Sequence, residues 1–243
     1  MSDTTHALDL SVVVPIYDEK DNLGRLVEEL EPVLQSLNLR HEILLVDDGS
    51  RDGSAEIVAS LARTRESVRS LHFRRNAGQT AAFDAGFKNA RGRWVVTIDA
   101  DLQNDPADIG ALLDALSEYD AAVGYRLNRE DRWLRRLSSR VANSVRNRLT
   151  GDDIIDTGCS LKAFRRECLS EIKLYDGMHR FLPTLLRIEG RTVAQLPVNH
   201  RPRIAGKSKY GVWNRAFRAF VDLLAVRWMK KRHLDYEVKR HEP

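Results

Sequence analysis

Asp99 and Asp101 are separated by one residue and follow the apolar run 93–98. In an extended segment both side chains leave the same side of the backbone. Two carboxylates converging there make a hard-oxygen site suited to Mg²⁺ or Mn²⁺. Mg²⁺ commonly takes only one or two protein carboxylates and completes its shell with phosphate oxygens and water. The pair therefore predicts a metal-bound diphosphate ligand and not a closed protein cage. Gln103, two residues on, offers a further oxygen. Alone, an Asp-x-Asp is common by chance. Two other acidic segments strengthen it: Asp47-Asp48-Gly49-Ser50 and Tyr17-Asp18-Glu19 also close apolar runs. A carboxylate at such an end can accept hydrogen bonds from a ribose or a base, and a glycine beside it lets the chain turn sharply. Any one of these ends reads as a helix cap or turn. Three on one sheet point to a ligand.

The elements that must hold these residues follow from the hydrophobic pattern. Runs 10–16, 42–46, 68–73, 93–98 and 121–125 read as strands. Helical spacing covers 21–37, 54–62 and 77–90, and Pro106 opens a further helix at a favourable first-turn position. This alternation predicts an α/β fold with a mainly parallel sheet flanked by helices. Ligands in such sheets bind beyond the carboxyl ends of the strands, where the three acidic segments fall.

Bulk properties narrow the classes. The 243 residues suit one large domain or two small ones. Two cysteines, Cys159 and Cys168, cannot make a disulfide framework or a four-cysteine zinc site, and they fit a reducing cytoplasm. No apolar run approaches the roughly 20 residues of a membrane span. The first ten residues hold two acids and no basic stretch, unlike a signal peptide. Neither G-x-G-x-x-G nor G-x-x-x-x-G-K-[ST] occurs, so a dinucleotide fold and a P-loop are unsupported. The formal net charge of +4 hides an asymmetry: residues 1–120 hold 12 basic and 22 acidic residues, and 121–243 hold 27 and 13.

Several segments together resemble family 2 glycosyltransferases with the GT-A fold. They are Val13-Val14-Pro15-Ile16-Tyr17-Asp18-Glu19, Val46-Asp47-Asp48-Gly49-Ser50, Asp99-Ala100-Asp101-Leu102-Gln103, Gly124-Tyr125-Arg126, Ser139-Arg140-Val141-Ala142-Asn143, the stretch 156–165 and the stretch 203–210. Within that family the chain is similar to the polyprenyl-phosphate sugar transferases, typified by dolichol-phosphate mannose synthase. Asp18 departs from the Asn of many such proteins.

The resemblance implies a residue-by-residue assignment. Pro15, Tyr17, Glu19 and Asp47 would line the nucleoside pocket. Asp99, Asp101 and Gln103 would hold Mg²⁺ or Mn²⁺ on the sugar-nucleotide diphosphate. Arg203 and Lys209 would join them there, with Arg126 and Arg140 at the acceptor phosphate. The catalytic set is then Asp99, Asp101, Arg126 and Arg140. Guanidinium forks suit phosphate. The implied reaction is inverting transfer of a hexose-type sugar from a GDP- or UDP-linked donor to a polyprenyl (dolichyl or undecaprenyl) monophosphate. A dianionic phosphate needs little deprotonation, so no histidine base is expected, and structural roles are expected for His179 and His200. The alternative is a family 2 enzyme with a saccharide or other non-phosphorylated acceptor, which would want a carboxylate base.

The basic half also carries two amphipathic patterns. In 129–149, Leu134, Leu137, Val141, Val145 and Leu149 share a stripe among arginines; in 213–231, Trp213, Phe217, Phe220, Leu224 and Trp228 do. The first could equally pack on a core. The second suits an anionic membrane interface. Residues 1–210 are therefore expected to form the GT-A domain, and 211–243 a basic amphipathic helix and tail with no transmembrane segment. The expectation is a peripheral enzyme on the cytoplasmic face of the membrane, with a small membrane-protein partner as a further option. Nucleic acid is not an expected partner, because the Asp99/Asp101 pair serves none.

Overall fold

The computed structural model of the protein describes residues 8–126, 151–202, 212–234 and 236. Strand β1 (Leu8–Ile16) is a run of apolar residues buried on both faces, as a central parallel strand requires. It is followed by α1 (Lys20–Ser36), β2 (His41–Asp47), α2 (Ser54–Thr64), β3 (Val68–His72), α3 (Gln79–Asn89) and β4 (Gly92–Thr97). A single 3₁₀ turn (Pro106–Asp108) leads into α4 (Ile109–Ala115), then β5 (Ala121–Arg126). Beyond residue 150 come β6 (Lys162–Arg165), α5 (Arg166–Ser170), a second 3₁₀ turn (Met178–Phe181), α6 (Leu182–Ile188), β7 (Val193–Val198) and α7 (Val212–Arg232). The helix expected from Pro106 is thus a 3₁₀ turn followed by α4, with the Asp105 carboxylate capping the turn by accepting from Ala107 N at 3.1 Å.

Among the described residues the strands form one seven-stranded sheet in the order β3-β2-β1-β4-β6-β5-β7. Only β6 runs antiparallel to its neighbours, β4 and β5. The register levels the carboxyl ends of β1, β2 and β3: Ile16 lies opposite Asp47, and Asp47 opposite His72. Pro15 would disrupt a central ladder. Here β1–β4 pairing ends at Val13–Thr97, with one more bond from Ile98 N to Val13 O, so no β4 partner asks for the missing N–H.

Strand alternation divides the core. Val12, Val14, Ile43 and Leu45 pack with Leu23, Leu26, Leu30 and Leu34 of α1 and with Val58 of α2. Val13, Leu44 and Val46 face the other way, onto Phe83 of α3, Phe164, and Leu182 and Leu186 of α6. A third cluster joins Met178, Phe181 and Leu185 to Leu223 and Val226 of α7, so one face of α7 is part of the folded body.

Gly49 fixes the turn after β2. Its φ is +68°, and a Cβ there would lie 2.5 Å from the carbonyl carbon of Arg75. Gly49→Ala combines a left-handed conformation with a backbone collision, and is expected to cost about 2–3 kcal/mol. Thermal unfolding checks this: a Tm fall of about 5–10 °C is expected for a domain of this size. An unchanged Tm would contradict the close approach.

Candidate active site

The site is built at the carboxyl edge of β1, β2 and β4. Asp48 N donates to Ile16 O and Phe73 N to Asp47 O, both at 2.8 Å, which continues the ladder past the strands. Loop 17–20 is then stitched to loop 50–54. Asp18 N donates to Ser50 Oγ at 3.0 Å, Arg51 N to Asp18 Oδ1 at 2.7 Å, and Glu19 N to Ser54 Oγ at 2.9 Å. Asp18 has φ +51°, a conformation that Asp and Asn tolerate better than other side chains. Of the residues expected in the nucleoside pocket, Pro15 is buried in β1, Tyr17 and Glu19 are part-buried just beyond it, and Asp47 is buried at the end of β2. The Asp47 carboxylate accepts from Ser50 N at 3.1 Å and lies 3.3 Å from His72 Nδ1.

The chain leaves β4 through Ile98 into Asp99, Asp101 and Gln103. Leu102, between the last two, is buried with φ +61°, an uncommon conformation for so bulky a residue. Such outliers persist where the surroundings over-determine them. Here Gln103 N donates to Asp101 Oδ1 at 3.2 Å, Arg201 N donates to Gln103 O at 2.8 Å, and Gln103 Nε2 reaches Arg201 O at 3.4 Å. His200 bridges Asn104 beside them, and its Nε2 lies 3.4 Å from Gln103 Nε2. Arg201 also pairs with Glu29 of α1 and with Asp105, at 2.6 and 2.8 Å. The segment after β7 is therefore clamped along the carboxylate loop. His179 lies elsewhere, with Nδ1 2.6 Å from Thr80 Oγ1 and its ring against Phe83.

Burial, and then the like charge of Asp101, push the Asp99 carboxyl up to about 6, while the Ser160 hydroxyl, Lys162 and Arg126 pull it down. Two crowded carboxylates beside an amide form a donor set that fits a hard divalent cation, whose charge would relieve their repulsion. Among the described residues no group of three or more His, Cys, Asp or Glu could hold a metal ion. The sign of the pH dependence is set by the direction of the shift. A carboxyl whose pKa rises on folding stabilises the fold below its unfolded value and loses that contribution as pH rises towards 6. Cation binding needs the deprotonated form, so added Mn²⁺ is expected to raise Tm at about pH 7.5 and to have almost no effect at about pH 5. Equal shifts at both would contradict the assignment.

Two cations, Arg126 and Lys162, also act on Asp99. The Arg126 guanidinium, at the end of β5, grips Asp156 through Nε at 2.7 Å and Nη2 at 3.0 Å, and Gly158 N donates to the same carboxylate at 3.0 Å. Lys162 of β6 is buried, and its ammonium donates to Cys159 O. Burial lowers its pKa, and Asp99 is among the charges that oppose the shift. Arg140, Arg203 and Lys209, and the amphipathic stretch 129–149, lie outside the described residues. Sequence reasoning missed Lys162 and Gln79, whose amide donates to Asp99 Oδ1 at 2.8 Å. Lys162 stands inside the family-like stretch 156–165 without a role, and Gln79 only as part of a helix. A groove of about 1050 Å³ lies at the opposite edge of the sheet, lined by Arg40, Lys88, Arg93 and Arg165 among others. Two of these cations are already paired, Arg40 with Asp9 and Lys88 with Asp84.

An open sheet with one antiparallel strand, flanked by helices and carrying paired carboxylates at a strand's carboxyl end, is the GT-A architecture of glycosyltransferases. The chain belongs to glycosyl transferase family 2, whose model matches residues 11–173. Over 231 residues it is 41% identical to dodecaprenyl-phosphate galacturonate synthase of Rhizobium johnstonii, covering 93% of this chain and 68% of that protein. It is 39% identical to undecaprenyl-phosphate 4-deoxy-4-formamido-L-arabinose transferase of Edwardsiella ictaluri, over 87% of this chain and 66% of that one. The chain thus spans about two thirds of the length of these relatives. Its fold is similar to that of glucosyl-3-phosphoglycerate synthase from Mycobacterium tuberculosis, solved with Mn²⁺, UDP and phosphoglyceric acid. The TM-score is 0.70 at 17% identity, covering 94% of this chain and 80% of that one. Mannosyl-3-phosphoglycerate synthase from Rubrobacter xylanophilus gives a TM-score of 0.67 at 18% identity, over 97% and 79%.

Proposed function

We propose that the chain transfers a sugar from a nucleoside-diphosphate sugar to the phosphate of a polyprenyl phosphate, with inversion at the anomeric carbon. The observation that carries this reading is that Asp99 and Asp101, just beyond β4, and Arg126, the last residue of β5, fall at the same edge of the sheet, with only β6 between the two strands. One end suits a cation-bound diphosphate and the other a second phosphate. Curated relatives named for dodecaprenyl and undecaprenyl phosphate support the acceptor class.

An acceptor phosphate oxygen forms the new bond to the anomeric carbon as the bond to the donor diphosphate breaks, and the nucleoside diphosphate departs. A divalent cation held by Asp99, Asp101 and Gln103 would neutralise charge on that leaving group. The residues' own work is alignment of the reacting groups and screening of two phosphates from each other. Arg126 and Arg140 take the acceptor phosphate; Arg203 and Lys209 take the donor. Pro15, Tyr17, Glu19 and Asp47 form the nucleoside side. The chain is offered undecaprenyl phosphate, undecaprenol and a disaccharide with the same donor. Transfer to the phosphate alone is expected. Equal transfer to an unphosphorylated acceptor would favour a saccharide-type family 2 enzyme.

Within the segment 211–243, helix α7 supplies the surface that would meet the lipid's own phase. No helix among the described residues is long and apolar enough to cross a membrane. Helix α7 buries Leu223 and Val226, yet presents Phe220, Val221, Leu224 and Trp228 outward, with Trp228 64% exposed. Lys230, Lys231 and Arg232 follow in its last turn. Aromatic side chains next to terminal cations suit an anionic leaflet, which supports a peripheral location on the cytoplasmic face. A double Phe220→Ser/Trp228→Ser variant is expected to lose binding to phosphatidylglycerol vesicles in flotation while keeping its Tm. Retained flotation would contradict this surface.

A further inference from the structure

Of the four residues Asp47-Asp48-Gly49-Ser50, two face the turn 75–78 and not the strand end. The Asp48 side chain is buried, and its carboxylate accepts from Ala77 N at 2.6 Å, Gly78 N at 2.9 Å and Asn76 Nδ2 at 2.8 Å. Gly49 allows the backbone of Arg75 to lie directly against it. Together they fold a turn that ends at Gly78, with φ +96°, and the next residue, Gln79, opens α3. From there its amide reaches Asp99 Oδ1 at 2.8 Å. The other side of the helix start is held as well. Thr80 Oγ1 accepts from Gly177 N at 3.0 Å and lies 2.6 Å from His179 Nδ1.

We propose that Gln79 is a positioning residue for Asp99, and that Asp48 positions Gln79. The terminal torsion of an Asp side chain is soft. One donor on Oδ1 fixes the carboxylate plane and so sets the direction of the second oxygen. Residue type matters at position 79. An amide supplies a donor without charge. A lysine there would compete with a cation for the carboxylate, and a glutamate would add a third like charge to Asp99 and Asp101. Asp48, the first residue after β2, thereby acts on the cation side of the site, through a turn and one helix position, without touching the ligand. This rests on the reading of Asp99 as a cation ligand.

The test is direct Mn²⁺ binding to the full chain in the presence of UDP or GDP, read by electron paramagnetic resonance, together with ligand-free Tm. Gln79→Met keeps the side-chain length and removes the donor. It is expected to weaken Mn²⁺ about tenfold or more while leaving Tm near the wild-type value. Thr80→Val, one residue on and out of contact with Asp99, is expected to lower Tm and to leave the Mn²⁺ dissociation constant within about twofold, because it removes packing and not ligand orientation. Asp48→Asn is expected to do both. Wild-type Mn²⁺ affinity in Gln79→Met would overturn the positioning role alone. A wild-type chain that binds no Mn²⁺ would overturn both this role and the cation site it serves.

Discussion

Asp101→Ala is expected to leave the chain folded and to remove metal-dependent transfer, with kcat falling by about 10²–10³ or more. The two effects have opposite signs for one reason. Asp101 is the second cause, after burial, of the raised Asp99 carboxyl. Deleting one of two like charges relieves the other, so the metal-free variant is expected to melt at or above the wild-type temperature. In the proposed reaction, losing this carboxylate removes the charge neutralisation that a cation held there would supply to the diphosphate leaving group. A site retained at a cost to stability is common where function needs it. Wild-type turnover by this variant would remove the metal assignment. A large fall in metal-free Tm would mean that Asp101 serves the fold instead.

Arg126→Ala is expected to lose both stability and transfer, and a second substitution separates the two. The ion pair with Asp156 is largely buried, with side-chain exposures of 15% and 12%. Removing one partner leaves the other's charge uncompensated, at a cost of about 3 kcal/mol. Arg126→Ala/Asp156→Ala removes that orphan and is expected to regain most of the stability. It is not expected to regain transfer, because the guanidinium proposed to take the acceptor phosphate is still missing. Arg126→Lys is expected to fall between, since an ammonium cannot reproduce the two-pronged contact. Recovery of transfer in the double variant would assign Arg126 to structure alone.

The residues that could be read from the sequence are those whose signals are local. The apolar run before Tyr17 and the acidic ends at Asp47 and Asp99 announce buried strands with acidic carboxyl ends, and these strands lie side by side in the sheet. Strand β6 escaped because four residues carry no period, and nothing in Lys162-Ala163-Phe164-Arg165 announces an antiparallel direction. Strand β7 lies at a sheet edge, where its mixed pattern of buried and part-exposed residues blurs the alternation. The parts of the site that escaped are tertiary. Gln79 and Asp99 are twenty residues apart in sequence, and only the packing of α3 on β1 and β2, with β4 paired to β1, brings them together. Arg126 could be singled out from its motif, while its grip on Asp156 could not, because the two meet only through the pairing of β5 with β6. The division of −10 and +14 between the two halves of the sequence has a counterpart in residue origin: Asp99 and Asp101 come from the acidic half, and Arg126 and Lys162 from the basic half.

The most direct measurement is a transfer assay on the full chain. It uses radiolabelled GDP-mannose, UDP-glucose, UDP-N-acetylglucosamine and UDP-galacturonate, each with undecaprenyl phosphate, with Mn²⁺ or with a chelator. Butanol-extractable label is expected from at least one donor, dependent on both the lipid phosphate and the cation. Label that appears equally with chelator, or a chain that binds every donor and transfers none, would contradict a cation-assisted transfer to the lipid phosphate.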